Sequence, residues 1–205
     1  MTRKLPHSLP YILTITLVLA LVAGFVLTRP YEFHGAVIAP ALPVTDFTLQ
    51  TANGESFRLS GEKGKIVLLF FGYTNCPDVC PTTLATFKQV YEKLGNRAQK
   101  VRFVMVTADP ERDTPEKVAA YAALFNPEFI GVSGSLADLQ PIWKELGVFV
   151  EKQNSGSQVG YLVSHTASVY VIDQNGNLLM TFPYGTNAAD MTDDLIQLLK
   201  QAQSK

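Results

Sequence analysis

The sequence predicts an α/β protein in which a mixed β-sheet is flanked by helices and preceded by one N-terminal transmembrane helix. Three observations lead to this prediction. Residues 11–28 are uncharged and apolar, strand and helix patterns alternate from about Asp46, and the last part of the chain has the pattern of a β-hairpin followed by a helix. The chain has 205 residues, 47% of them hydrophobic, which suits one domain with a sizeable core.

The apolar stretch at residues 11–28 favours an uncleaved membrane anchor over a cleaved secretory signal. At a helical rise of about 1.5 Å per residue, it nearly spans a hydrocarbon core of about 30 Å. The best small-residue cleavage motif, residues 37–39, is followed by Pro40, which would obstruct cleavage. We therefore expect residues 11–28 to remain as an anchor.

Charge is distributed unevenly along the chain and predicts its orientation. Arg3 and Lys4 precede the anchor and only Arg29 closely follows it, so residues 1–10 are expected in the cytoplasm and the rest outside, where thiols can oxidise. Because so short a segment precedes the anchor, a bacterial inner membrane with the domain in the periplasm is favoured. All but three of the 17 basic residues and all 18 acidic residues follow position 29, leaving a net charge of −4 there. With no basic stripe, no nucleic-acid partner is expected.

The chain divides into a tether at residues 29–45 and a folded domain at residues 46–205. The tether contains three prolines and shows no periodic pattern. In the domain, apolar or alternating runs predict strands at residues 47–49, 56–59, 66–71, 101–106, 167–172 and 178–182. Helical spacing predicts helices at residues 81–94, 115–125, 135–146 and 189–200. A two-residue hairpin turn is expected at Asn53-Gly54, and a polar loop at residues 152–163.

Local signals support these element boundaries. The continuous apolar run at residues 66–71 is typical of a central strand that is buried on both faces. Pro81 suits a first helical turn, and Gly95 ends that helix. Thr114 is a predicted N-cap before a proline, and Ser135, with an aspartate three residues later, begins another helix.

The only two cysteines, Cys76 and Cys80, lie between the buried strand and a helix. One helical turn apart, their β-carbons would be about 5–6 Å from each other, which permits a disulfide or a shared metal ion. The helix N-terminus favours the thiolate, the form that both thiol exchange and metal binding require. A dithiol at a strand–helix junction is the thioredoxin-like arrangement. A purely structural disulfide is less favoured, because so short a loop gains little stability.

His165 is the only histidine within the predicted domain, since His7 precedes the anchor and His34 lies in the tether. Two sulfurs and one imidazole suit Cu(I) in a three-coordinate site and tolerate Cu(II) with an added ligand. Zinc in a structural site ordinarily takes four protein ligands, and no third cysteine is present. Taken alone, a histidine this distant in sequence is more often an ordinary surface or core residue.

Three segments together resemble the Sco/SenC family of membrane-anchored copper proteins with a thioredoxin fold. They are residues 71–81, 109–115 and 163–166, and the resemblance spans about residues 40–200. It implies that the copper ligands are Cys76, Cys80 and His165. It also implies delivery of copper to the binuclear site of cytochrome c oxidase subunit II or another copper oxidase, or reduction of that site's cysteines. Other copper chaperones or thiol reductases are further possible partners.

The main alternative is an extracytoplasmic thiol–disulfide reductase that uses Cys76 as nucleophile and Cys80 as resolving thiol, without metal. The spacing speaks mildly against it, because dedicated oxidoreductases usually have Cys-x-x-Cys. His165 would have no necessary role in such an enzyme. A copper-dependent sensor would share the metal site and differ only in its partner.

Four polar residues near these segments have open roles at this stage. Ser164 stands where many relatives have an acid, so a negative charge beside the histidine is expected to be missing. Asp78 either tunes the thiols, presents a charge to a partner, or simply suits a helix start. Asp109 and Asp113 are explained by turn formation and capping, and the resemblance places them on a surface near the metal site.

Overall fold

The computed structural model describes residues 11, 14–18, 21, 30–154 and 161–203. They fall into two compact units, which divide after Glu32, and the second unit contains the β-sheet. Among the described residues, no helix is both long and apolar enough to cross a membrane. The predicted anchor at residues 11–28 lies largely outside the described residues.

The second unit is an α/β domain with a six-stranded mixed sheet, in the strand order β1-β10-β9-β4-β5-β6. Strands β4, β5 and β6 are parallel, and the other neighbouring pairs are antiparallel. The strands are β1 Ala36–Pro43, β2 Thr48–Gln50, β3 Ser56–Arg58, β4 Ile66–Gly72, β5 Val101–Thr107, β6 Ile130–Val132, β7 Val150–Asn154, β8 Tyr161–His165, β9 Val169–Ile172 and β10 Asn177–Phe182. The helices are α1 Val79–Leu94, α2 Pro115–Ala123, α3 Leu136–Leu146 and α4 Ala188–Gln203.

Helices cover both faces of the sheet, which confirms the predicted thioredoxin-like architecture. Every residue of β4 is buried, and its side chains alternate between two cores. Phe70 packs with residues of α1, α2 and α4 on one face, whereas Phe71 packs with residues of α3 on the other. The central strand is therefore apolar throughout because both of its faces are covered.

The predicted helix starts are confirmed in their detail. The Thr114 hydroxyl accepts a hydrogen bond from the backbone N–H of Lys117 at 3.4 Å. Ser135 and Asp138 form a capping box at α3, in which each side chain accepts from the other residue's backbone N–H. Helix α1 begins at Val79, two residues before Pro81, so Cys80 lies within its first turn.

Three predictions for the irregular segments are wrong. Ala36–Pro43, expected to be part of a tether, forms β1 at the sheet edge, where prolines are tolerated because one side needs no ladder hydrogen bond. The two ends of the predicted polar loop, residues 152–154 and 161–163, instead belong to β7 and β8, which form a separate antiparallel ribbon, and residues 155–160 lie outside the described residues. The connection of β2 to β3 spans residues 51–55 rather than two residues, although Asn53 and Gly54 have the expected positive φ.

The start of β1 is fixed to α4 by a buried carboxylate. Asp194 accepts hydrogen bonds from the backbone N–H groups of His34, at 3.0 and 3.1 Å, and of Gly35, at 2.9 Å. Its side chain is fully buried. The chain entering the domain is therefore held at the edge of the sheet by charge-assisted hydrogen bonds.

Candidate metal centre

The structure brings together all three predicted site residues. The Cys76 and Cys80 sulfurs and a ring nitrogen of His165 lie within 4.8 Å of one another. The Cys80 Sγ lies 3.7 Å from His165 Nε2, and the Cys80 backbone N–H donates to Cys76 Sγ at 3.4 Å. Among the described residues, this is the only such group of metal-binding side chains.

The end of β4 makes room for the buried thiol. A β-carbon on Gly72 would stand 2.7 Å from the Phe70 ring and 3.0 Å from Cys80 Sγ, both closer than ordinary contact. Gly72 therefore lets the sulfur approach the strand. In the sequence, the only signal of this role is a glycine that ends an apolar strand, and Gly72 was not predicted from it.

His165 lies at the end of β8, and its ring is oriented by its surroundings. Its Nδ1 lies 3.1 Å from the Thr166 carbonyl oxygen, which can only accept, so Nδ1 carries the proton. The other nitrogen, Nε2, then presents its lone pair toward Cys80. The Phe70 and Tyr73 rings contact the imidazole edge-on, with centroids 6.1 and 5.9 Å away.

The two thiols share one proton unequally. The Cys80 thiol donates to Cys76, and this bond, together with the backbone N–H groups of Asp78 and Cys80, lowers the pKa of Cys76 to about 4 against the opposing effect of burial. The same hydrogen bond, together with burial and the charge on Cys76, raises the pKa of Cys80 above its ordinary value. Cys80 is fully buried, whereas Cys76 is half-buried. The metal-free pair is therefore an accessible thiolate in front of a buried thiol.

A shallow pocket of ≈ 280 Å³ opens beside the exposed side of this pair. Cys76, His165, Asp78 and Ser164 all contribute to its lining. Among the described residues, no lysine or arginine lines it. An incoming ligand can therefore reach the thiolate without displacing the core.

The residue at position 164 has an acidic neighbour after all. Glu151 on β7 is directly opposite Ser164 on β8, and directly opposed residues of an antiparallel pair present their side chains to the same face. Glu151 is exposed. A carboxylate is thus present beside position 164, but on the strand face opposite to that of His165.

Asp78 influences the site through its backbone rather than its side chain. The Asp78 backbone N–H is one of the groups that lower the pKa of Cys76. Its exposed carboxylate makes no helix-capping hydrogen bond to the backbone and only a 3.4 Å contact with the Thr82 hydroxyl. The carboxylate is therefore free to face a partner.

Asp109 and Asp113 do not lie on a surface, contrary to what the resemblance suggested. Each is 1% exposed. Asp113 accepts hydrogen bonds from the Thr74 backbone N–H at 2.9 Å and hydroxyl at 2.5 Å, and Asp109 accepts from the Tyr161 hydroxyl at 2.8 Å. Both carboxylates therefore have a structural role, because a carboxylate is buried at an acceptable cost only where hydrogen-bond donors satisfy it.

Comparisons with known proteins agree with the fold. The SCO1/SenC family model matches residues 37–200. An SCO2-like protein of Rickettsia felis is 36% identical over 138 residues, which cover 67% of each chain. One from Rickettsia conorii is 33% identical over 151 residues, 73% of this chain and 74% of its own.

Two solved structures show the same fold. Apo Sco1 from Thermus thermophilus has 39% identity and a TM-score of 0.74, covering 82% of this chain and 98% of its own. ScoI from Bradyrhizobium japonicum with copper bound has 33% identity and a TM-score of 0.70, covering 76% and 99%. The family match covers most of the domain, and the chain therefore belongs to the SCO1/SenC family.

Proposed function

We propose that this protein is a copper chaperone that binds copper through Cys76, Cys80 and His165. We further propose that it delivers the copper to the binuclear site of cytochrome c oxidase subunit II or of another copper oxidase. The observation that carries the proposal is the meeting of two sulfurs and one imidazole nitrogen within 4.8 Å. The uncharged stretch at residues 11–28 supports an anchor in a bacterial inner membrane with the domain in the periplasm.

The chemistry of the three donors fits copper as cargo. Thiolates and imidazole are the soft and intermediate donors that Cu(I) favours. Cys76 is already a thiolate at neutral pH, and His165 Nε2 presents its lone pair toward the cluster. Three protein ligands leave room for an entering ligand beside the pocket, which suits transfer by stepwise ligand exchange. The similarity to a ScoI with copper bound further supports this assignment.

The unequal thiols favour a second candidate, a thiol–disulfide reductase. The Cys76 thiolate would attack a disulfide of the partner, form a mixed disulfide and release one partner thiolate. Cys80 would then lose its proton, attack Cys76 and release the second partner thiolate, leaving a Cys76–Cys80 disulfide. The low pKa of Cys76 suits this chemistry, but His165 has no required part in it.

Copper binding by the purified full-length chain separates these functions. We expect one copper per chain, measured by competition with a chromophoric chelator, and weaker binding after Cys76→Ala, Cys80→Ala or His165→Ala. The loss of copper affinity in His165→Ala should be larger than about tenfold, which is the effect of removing a residue that only supports a ligand. His34→Ala, which changes an exposed histidine outside the site, is the matched control.

Two outcomes would reject the three-ligand chaperone. Unchanged stoichiometric binding in His165→Ala would remove the histidine from the ligand set. If the His165→Ala variant retains no copper and still reduces a disulfide substrate, the reductase is favoured.

A further inference from the structure

One short turn, Asp109–Asp113 between β5 and α2, contacts both the loop that precedes Cys76 and the strand that carries His165. We propose that this turn sets the separation between the dithiol and His165, and that Tyr161 and Arg112 act through it as positioning residues for the histidine. The inference rests on the proposed function, because it concerns the same three ligands. It assigns a role to residues outside the set of three ligands.

On the dithiol side, the turn holds the loop that leads into Cys76. The Asp113 carboxylate accepts from the Thr74 backbone N–H and hydroxyl, and from the Thr107 hydroxyl at 3.0 Å. Thr74 is two residues before Cys76, whose own backbone N–H donates to the Tyr73 carbonyl at 3.2 Å. Three hydrogen bonds to one buried carboxylate fix this loop against the end of β5.

On the histidine side, the turn holds the first residue of β8 by both its side chain and its backbone. The Tyr161 hydroxyl donates to Asp109 at 2.8 Å, and Arg112 Nη1 donates to the Tyr161 carbonyl at 3.0 Å. The Arg112 guanidinium also lies 3.7 Å from the centre of the Tyr161 ring and forms an ion pair with Asp109. Tyr161 is thus clamped against the turn.

Strand geometry carries this restraint to the ligand. Residues at i, i+2 and i+4 of a strand share a face, so Tyr161, Val163 and His165 point the same way. Val163 is buried in the core between them. The face that Tyr161 presses against the turn is therefore the face that presents His165 to Cys80, 3.7 Å away. Functional sites require ligands to be held within about 0.5 Å of the productive geometry, so a small shift of the strand matters.

The decisive experiment is a double-mutant cycle in the full-length chain. Tyr161→Phe keeps the ring over Arg112 and removes the hydroxyl that donates to Asp109. We expect Tyr161→Phe to weaken Cu(II) binding about tenfold, the lower end of the effect of an outer-shell partner. In a His165→Ala background, the same change should alter Cu(II) affinity less than about twofold, because the residue it positions is absent. Tyr184→Phe, at an exposed tyrosine, is the control.

A second readout needs no metal. In the metal-free protein, NMR signals of the His165 ring should shift in Tyr161→Phe and stay unchanged in Tyr184→Phe. The inference is overturned if the His165 ring signals do not shift in Tyr161→Phe. It is also overturned if Tyr161→Phe lowers Cu(II) affinity equally with and without His165, because Tyr161 would then only stabilise the fold. If His165→Ala alone leaves copper affinity unchanged, the proposed ligand set fails, and the positioning role falls with it.

Discussion

The Cys76 thiol is expected to react at a nearly constant rate over a pH range in which an ordinary cysteine gains most of its reactivity. Its pKa is about 4, chiefly because the Cys80 thiol donates to its sulfur. With that pKa, the thiolate fraction is about 97% at pH 5.5 and complete at pH 8.5. A free cysteine with a pKa of about 8.5 goes from about 0.1% to about 50% thiolate over the same range. Its rate therefore rises about 500-fold, whereas that of Cys76 rises less than about twofold.

Alkylation of the reduced, metal-free protein by iodoacetamide measures this profile directly. Mass spectrometry of the Cys76 peptide gives the rate at each pH, with glutathione as the free-thiol reference. Because partial burial scales every rate by the same factor, the shape of the profile is the test. Cys80→Ala removes the donor and should steepen the curve. A wild-type Cys76 rate that rises about tenfold per pH unit between pH 5.5 and 7.5 would refute the shared-proton arrangement.

Two further predictions concern stability, measured as the free energy of unfolding in urea. Gly72→Ala should cost about 1–3 kcal/mol, because the added methyl group meets the Phe70 ring and the Cys80 sulfur. Gly61→Ala, where nothing lies within 4 Å of the new β-carbon, should cost far less, and equal losses would contradict the packing argument. Asp194→Asn should cost about 2 kcal/mol, because it replaces a charged acceptor of two backbone N–H groups. Amide hydrogen exchange at Gly35 should speed up in that variant, and unchanged protection there would contradict the role of Asp194.

The sequence predicts the interior of this fold better than its edges. The β4 run and the helix caps at Thr114 and Ser135 are local signals, in which neighbouring residues alone specify the element. Strand β1 pairs with β10, which lies about 140 residues later in the chain, and no local sequence pattern predicts that pairing. The ribbon of β7 and β8 was hidden for a different reason, because the described polar residues of β7 are exposed, those of β8 are half-exposed, and both runs resemble a loop.

The candidate site shows the same division between local and distant information. The spacing of Cys76 and Cys80 is enough to predict the dithiol. His165 lies 85 residues from Cys80, and it was predicted as a ligand only through the family resemblance. The hydrogen bond from Tyr161 to Asp109 joins residues 52 apart, and neither residue type is unusual in its local context. Only the folded chain shows that they meet.

The unequal burial of the two sulfurs gives ligand exchange a direction under the proposed function. An incoming thiolate enters from the pocket beside Cys76, so Cys76 is the first protein ligand to be displaced. Cys80, fully buried against Gly72, is released last. Once the copper has left, Cys76 remains a thiolate and the raised pKa of Cys80 makes it take up one proton. Since a protonated thiol is not a metal ligand, that proton opposes rebinding and favours completed transfer to the partner.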